Sequence, residues 1–140
     1  KYDLKANILN NLYNDCSKTI PETIITEAVK VLQLMFEIEK VSSKKIVNKW
    51  TFVDIFRLLY ENRAKTVNYI EFANAFVEFE KKRVLNSAQP EKLISGKKPT
   101  IEEENLYQYI ISFKSNGGNP KFLDKRLATF SQVFSKTLNR

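Results

Sequence analysis

Three groups of basic residues have the type and spacing to contact phosphate, and they are the best candidates for chemistry in this chain. Lys81-Lys82-Arg83 is a run of three cations, Lys97-Lys98 is a pair one short segment later, and Lys44, Lys45 and Lys49 recur within six residues. Gathered on one surface, they would track a nucleic-acid backbone by neutralising its phosphates. Left apart, they are solubilising charge, with the 81–83 run also standing at a helix end, where cations complement the dipole. The second reading is the plainer one until a fold brings the groups together.

The acidic residues admit fewer roles. Glu102, Glu103 and Glu104 could hold a metal if a second carboxylate group folded against them. More simply, they occupy the first turn of a helix and stabilise its dipole. Asp54 and Arg57 are spaced to pair at i,i+3 on a helix surface. Asp124 and Arg126 read as solvated.

Nucleophilic and metal chemistry find little support. The chain has no histidine, which removes His-based triads, His-ligated zinc and imidazole general bases together. Cys16 is the single cysteine, so neither an internal disulfide nor a Cys-rich zinc site can form. With no histidine to activate it, Cys16 reads as a small buried residue. Gly117-Gly118 lacks the GxxxxGK pattern of a phosphate loop, and there is no GxGxxG. No cofactor is implied, and the chain is not expected to be an enzyme.

The elements that must position these residues read as helices. The chain has 140 residues, 43% of them hydrophobic, with only three Gly and four Pro, too few breaks for many short strands. Its charge of +7 is uneven: −1 over residues 1–43, +6 over 44–100 and +2 over 101–140. No apolar run approaches the ~18 residues of a membrane span, and no secretory signal is present. A soluble, cytoplasmic protein is expected. The chain opens on Lys1 rather than Met, which points to a single helical domain, 1–140, excised from something longer.

Taken in order, residues 3–17 carry Leu4, Ile8, Leu9, Leu12 and Tyr13 on one helical face. Pro21 and Glu22 open a second helix, in which Ile24, Ile25, Ala28, Val29, Leu32, Met35 and Phe36 form a stripe wide enough to be core. Ser42 or Ser43 can cap a third helix running from Lys44 to about Tyr60, with a break near Trp50 as the alternative. Asn68 and Glu71 start a fourth, ending in Lys81-Lys82-Arg83, so that Trp50–Arg83 reads as a central helical hairpin. Pro90–Ile94 adds a short turn. Thr100 and Glu103 make a capping box for a fifth helix, stopped by Gly117-Gly118. Asn119-Pro120 begins a sixth that carries Leu123, Leu127, Phe130, Phe134 and Leu138 to the end. The expected fold is all-α, an antiparallel bundle or array of about six helices.

Several of these residues together carry a family resemblance. Trp50-x-x-Val53-Asp54-x-Phe56 is followed by Phe72-x-x-x-Phe76-x-x-Phe79-Glu80-Lys81-Lys82-Arg83. After these come Leu106-Tyr107-x-Tyr109-Ile110, a Gly-Gly step and a last helix with Lys125-Arg126. Over residues 45–140 this resembles the helical region that follows the ParB-like nuclease domain of GmrSD-type restriction and phage-defence proteins. That family's Asp-Gly-Gln-Gln-Arg type motif and its HNH-like nuclease motif are both missing, so no catalytic residue carries over. The resemblance implies a non-catalytic helical module of a larger DNA-acting protein. Such a module would scaffold catalytic domains of the same or a partner chain, or help grip DNA through its basic patches. The alternative is a stand-alone helical domain whose aromatic face docks a partner helix.

Overall fold

Asparagine starts three of the five α-helices found among the described residues. The computed structural model describes residues 10, 11, 14, 20–96, 98–114 and 118–139. Its helices are α1 Glu22–Val41, α2 Lys49–Glu61, α3 Tyr69–Asn86, α4 Ile101–Lys114 and α5 Pro120–Val133. Two 3-10 turns, Pro90–Leu93 and Ser135–Thr137, and an antiparallel ribbon of β1 Thr66–Val67 with β2 Leu138–Asn139 complete them. The fold is all-α, with five described helices against about six expected. Of the expected helix over 3–17, only Asn10, Asn11 and Asn14 are described, and they are helical; the rest, with Cys16, lies outside the described residues.

Capping chemistry sets most helix starts. The Asn68 side chain accepts from the Glu71 N–H at 3.3 Å, and that of Asn119 accepts from the Lys121 N–H at 3.0 Å, with Pro120 at the first helical position. Thr100 and Glu103 form the expected reciprocal box: Thr100 Oγ1 accepts from the Glu103 N–H at 3.2 Å, and Glu103 Oε2 accepts from the Thr100 N–H at 2.8 Å.

α2 starts five residues later than expected. Ser42 does not cap it; its hydroxyl accepts from the Lys44 N–H and donates to the Lys44 carbonyl, closing a local turn instead. Glu39 Oε1 takes the Ile46 N–H at 3.0 Å, and the β-branched pair Ile46-Val47 favours the extended backbone that follows. Asn48 is the cap, accepting from the Trp50 N–H at 2.9 Å. Lys44 and Lys45 therefore lie on a connecting segment and only Lys49 is helical, whereas all three were expected on one helix.

The last helix is shorter than its periodicity implies. Ser135 and Thr137 hydroxyls donate to the carbonyls of Gln132 and Phe134, at 3.0 and 2.8 Å, and draw the chain into a 3-10 turn. Leu138 is still buried, but as a strand residue opposite Val67.

The core is aromatic. Phe72, Phe76 and Phe79 of α3 meet Tyr109 of α4 and Phe130 and Phe134 around the end of α5. Phe72 stacks on Phe134 with ring centroids 4.4 Å apart, and Phe79 stands edge-on to Tyr109 and Phe130 at 4.9 and 5.2 Å. Each such pair adds ~0.5–1.5 kcal/mol beyond its area burial. α4 lies along α5, α1 packs on both α2 and α3, and α2 packs on α5. The helices of the Trp50–Arg83 segment thus find their main partners elsewhere, rather than in each other as a hairpin would.

Candidate functional site

The most constrained polar group in the described structure is a buried ion pair that local spacing does not reveal. Asp54 of α2 accepts from Arg126 Nε of α5 at 2.7 Å and from the Tyr109 hydroxyl of α4 at 2.9 Å. The Arg126 and Asp54 side chains are 0% and 1% exposed. Arg126 Nη1 donates to the Ser112 carbonyl at 3.2 Å, and its guanidinium lies 5.6 Å from the Trp50 ring centroid. Its Nη2, like Thr51 Oγ1, is buried with no hydrogen-bond partner among the described residues. Arg126 is therefore core, not solvated. Arg57 pairs outward with Asp124 at 2.8 Å and Glu61 at 3.3 Å, not with Asp54. Burial pushes the Asp54 carboxyl above the ordinary range, with the hydrogen bond and charge of Arg126 acting the other way. Tyr109 is raised well above the ordinary phenol, first by burial and then by the Asp54 charge. The network joins α2, α4 and α5.

The basic residues fall into separate settings. Lys81 Nζ pairs with Glu78 at 2.7 Å, and Lys82 pairs with Glu102 across to α4. Arg83 grips Glu80 with two hydrogen bonds, at 2.6 and 2.8 Å, and lies 4.7 Å over the Phe113 ring. The Glu80 hydrogen bonds raise the Arg83 pKa against the effect of its partial burial. All three cations of the run are thus matched by carboxylates. Lys82 also borders a groove of about 530 Å³ between α3, α4 and α5, floored by Phe79, Leu106 and Val133. Lys98 is exposed ahead of α4, and Lys97 lies outside the described residues. Glu102–Glu104 gather no metal site: no group of three metal-ligating side chains stands together among the described residues.

Lys44, Lys45 and Lys49 differ from that run. No carboxylate pairs with any of them among the described residues. Lys45 Nζ donates to the Glu39 carbonyl at 3.5 Å, and Lys49 Nζ lies 4.7 Å over the Trp50 ring. Of the basic groups expected to contact phosphate, these three lie on the connection between α1 and α2 and at the first residue of α2.

That connection borders an apolar surface which the sequence reading assigned to the core. α1 buries Val31, Met35 and Ile38, but Ile25, Val29, Leu32 and Phe36 are 43% to 58% exposed. The exposed four repeat at 4-3-4 spacing and lie roughly 120° around the helix from the buried face. Phe52 of α2, also exposed, continues the surface, and a shallow cavity of about 240 Å³ lies between the helices, lined by Leu32, Met35, Phe36, Glu39, Ile46 and Phe52. The two walls are tied at the far end. Phe52, Phe56 and Tyr60 stack along α2, the Tyr60 hydroxyl donates to Glu27 of α1 at 3.3 Å, and Arg63 pairs with the same carboxylate at 2.8 Å. The sequence signal was present but ambiguous, because two adjoining stripes on one helix read as one broad stripe.

No helix among the described residues is long and apolar enough to cross a membrane. Comparison with known proteins finds no matching family model, no matching curated protein and no matching solved structure.

Proposed function

We propose that this chain is a docking module that works by binding, and that its site is the apolar surface shared by α1 and α2. One observation carries the reading: Ile25, Val29, Leu32 and Phe36 form an exposed stripe at the spacing by which one helix receives another. The stripe runs about 16 Å along α1, three turns of contact for a partner helix. Scaffolding of catalytic domains in a DNA-acting assembly, the role implied by the GmrSD-type resemblance, is one form of this function. The test is an NMR titration of the isotopically labelled chain with a designed amphipathic helical peptide. Amide shifts at Ile25, Val29, Leu32, Phe36 and Phe52 are expected; shifts confined to other helices, or none, refute the proposal.

A second reading makes Lys44, Lys45 and Lys49 a phosphate contact. It is favoured by the absence of carboxylate partners for these three, in contrast with Lys81, Lys82 and Arg83. Titration with a short DNA duplex separates it. Shifts at the three lysines that vanish steeply with salt support it, and no binding at low salt removes it.

A further inference from the structure

Resting on the docking reading, we infer that the partner of the α1–α2 surface is an amphipathic helix with acidic flanks, which the lysines beside the groove recognise. The floor supplies affinity chiefly through apolar contact. Leu32, Met35, Phe36, Ile46 and Phe52 line it beside the single carboxylate of Glu39, and none of the five apolar side chains distinguishes one apolar helix from another. Discrimination has to come from the rim.

The rim is cationic by composition. Residues 37–49 hold Lys40, Lys44, Lys45 and Lys49 against Glu37 and Glu39. Glu37 pairs with Lys40 Nζ at 2.7 Å, which leaves Lys44, Lys45 and Lys49 against the one carboxylate of Glu39, itself accepting from the Ile46 N–H at 3.0 Å. Lys40 Nζ also stands 4.5 Å over the Phe36 ring, at the edge of the exposed stripe. Lys45 reaches the backbone of Glu39, which itself lines the cavity, and Lys49 lies one turn before Phe52. A helix lying along Ile25–Phe36 with its apolar residues inward would bring its flanking positions to these lysines. In two-helix contacts those flanks set partner choice through charge. Glutamate or aspartate there is attracted; lysine or arginine is repelled. A nucleic acid would satisfy the lysines but leave the stripe exposed, so the combination favours an acidic helix.

The test uses the full chain and three peptides of about 21 residues, or three heptads, with leucine at the apolar positions and glutamate, glutamine or lysine at the flanks. Affinities are read by fluorescence anisotropy of labelled peptide. The expected order is acidic, then neutral, then basic, with at least a tenfold span that narrows as salt shortens the Debye length from about 10 Å towards 3 Å. Lys45→Glu with Lys49→Glu should invert the order. Phe36→Asp should reduce acidic-peptide binding at least about tenfold while leaving the melting temperature unchanged, because Phe36 is already exposed. Equal affinity for all three peptides, lost in Phe36→Asp, overturns the acidic partner and leaves the docking reading intact. Absence of binding by any peptide overturns both, and a lower melting temperature in Phe36→Asp would then identify the stripe as covered within the chain. Concentration-dependent dimerisation abolished by Phe36→Asp would make the occupant a second copy and overturn the inference. So would DNA binding lost in the lysine variant but untouched by Phe36→Asp, with no peptide preference.

Discussion

Replacing Arg126 should be among the most damaging single changes in this domain, although its neighbours in sequence give no hint of it. Arg126→Met roughly preserves the volume of the side chain but strips Asp54 of its fully buried counterion, which sits 2.7 Å away. Removing one partner of such a pair costs ~3–5 kcal/mol, because a buried charge is left uncompensated. At roughly 2.1 cal/mol/K per residue, a chain of this length unfolds with an entropy of about 0.3 kcal/mol/K, so the melting temperature should fall by about 10–17 °C. Asp54→Asn should also destabilise, and the double variant should recover about 0.5–3 kcal/mol relative to the sum of the singles. The deficit should depend on pH in a definite sense. With burial raising the folded pKa of Asp54 and Arg126 no longer opposing it, protonation favours the folded state. Stability is then retained below the unfolded value near pH 4 and lost as pH rises through the folded pKa, so Arg126→Met should suffer less at about pH 4 than at pH 7. Circular dichroism melts and urea titrations at both pH values measure this. A melting temperature within about 3 °C of the parent at pH 7, or strict additivity in the double variant, would refute the idea that the pair clamps α2 to α5.

Tyr109 predicts an alkaline limit. Its folded pKa lies well above the ordinary value, so its contribution is fully present below about pH 10 and is lost as pH climbs from there through the raised folded value. Tyr109→Phe should flatten that alkaline loss in pH-dependent denaturation while lowering stability at neutral pH, where Asp54 loses a donor. Adjacent members of the cationic run should behave differently. Arg83→Ala removes the guanidinium from Phe113 and leaves the buried Glu80 unpaired, for a loss of ~1–3 kcal/mol in urea denaturation, whereas Lys81→Ala should leave the melting temperature unchanged. Asn48→Ala should cost ~1 kcal/mol if Asn48 is the true cap of α2, and Ser42→Ala clearly less; the reverse order would restore the longer helix expected from Lys44.

Much of the helical framework was legible because its signals are local. Asn68 with Glu71, Thr100 with Glu103, and Asn119 with Pro120 each specify a helix start within four residues of chain, and each does so in the structure. The failures lie where a local rule met a long-range competitor. Phe134 and Leu138 continue the apolar period of α5, but Leu138 is buried equally well as a strand residue against Val67, more than 70 positions earlier. Periodicity records that a side chain is buried, and the burial of Leu138 is compatible with either backbone. Likewise Ser42 and Asn48 are both competent caps, and the choice was decided by Glu39 holding the Ile46 N–H from the preceding helix.

The charges were misassigned for a related reason. Asp54 with Arg57, three residues apart, is the pair a single helix offers, and the structure instead gives Asp54 to Arg126 and Arg57 to Asp124. Where α2 crosses α5, each helix brings one acid and one base to the contact, and the crossing decides which ion pair is buried. The apolar stripe of α1 shows the converse. Its width was legible, but how much of it is buried depends on how many neighbours reach it, and among the described elements α1 packs chiefly on α2 and α3. Neither covers Ile25, Val29, Leu32 and Phe36. A helix that carries more apolar surface than its neighbours cover leaves a stripe for something else, and the unmatched Lys44, Lys45 and Lys49, between Phe36 and Phe52 in the chain, give that stripe a charge preference. Functional interest therefore moves from Lys81-Lys82-Arg83, where each cation has an internal carboxylate, to the α1–α2 surface, where the charges still await one.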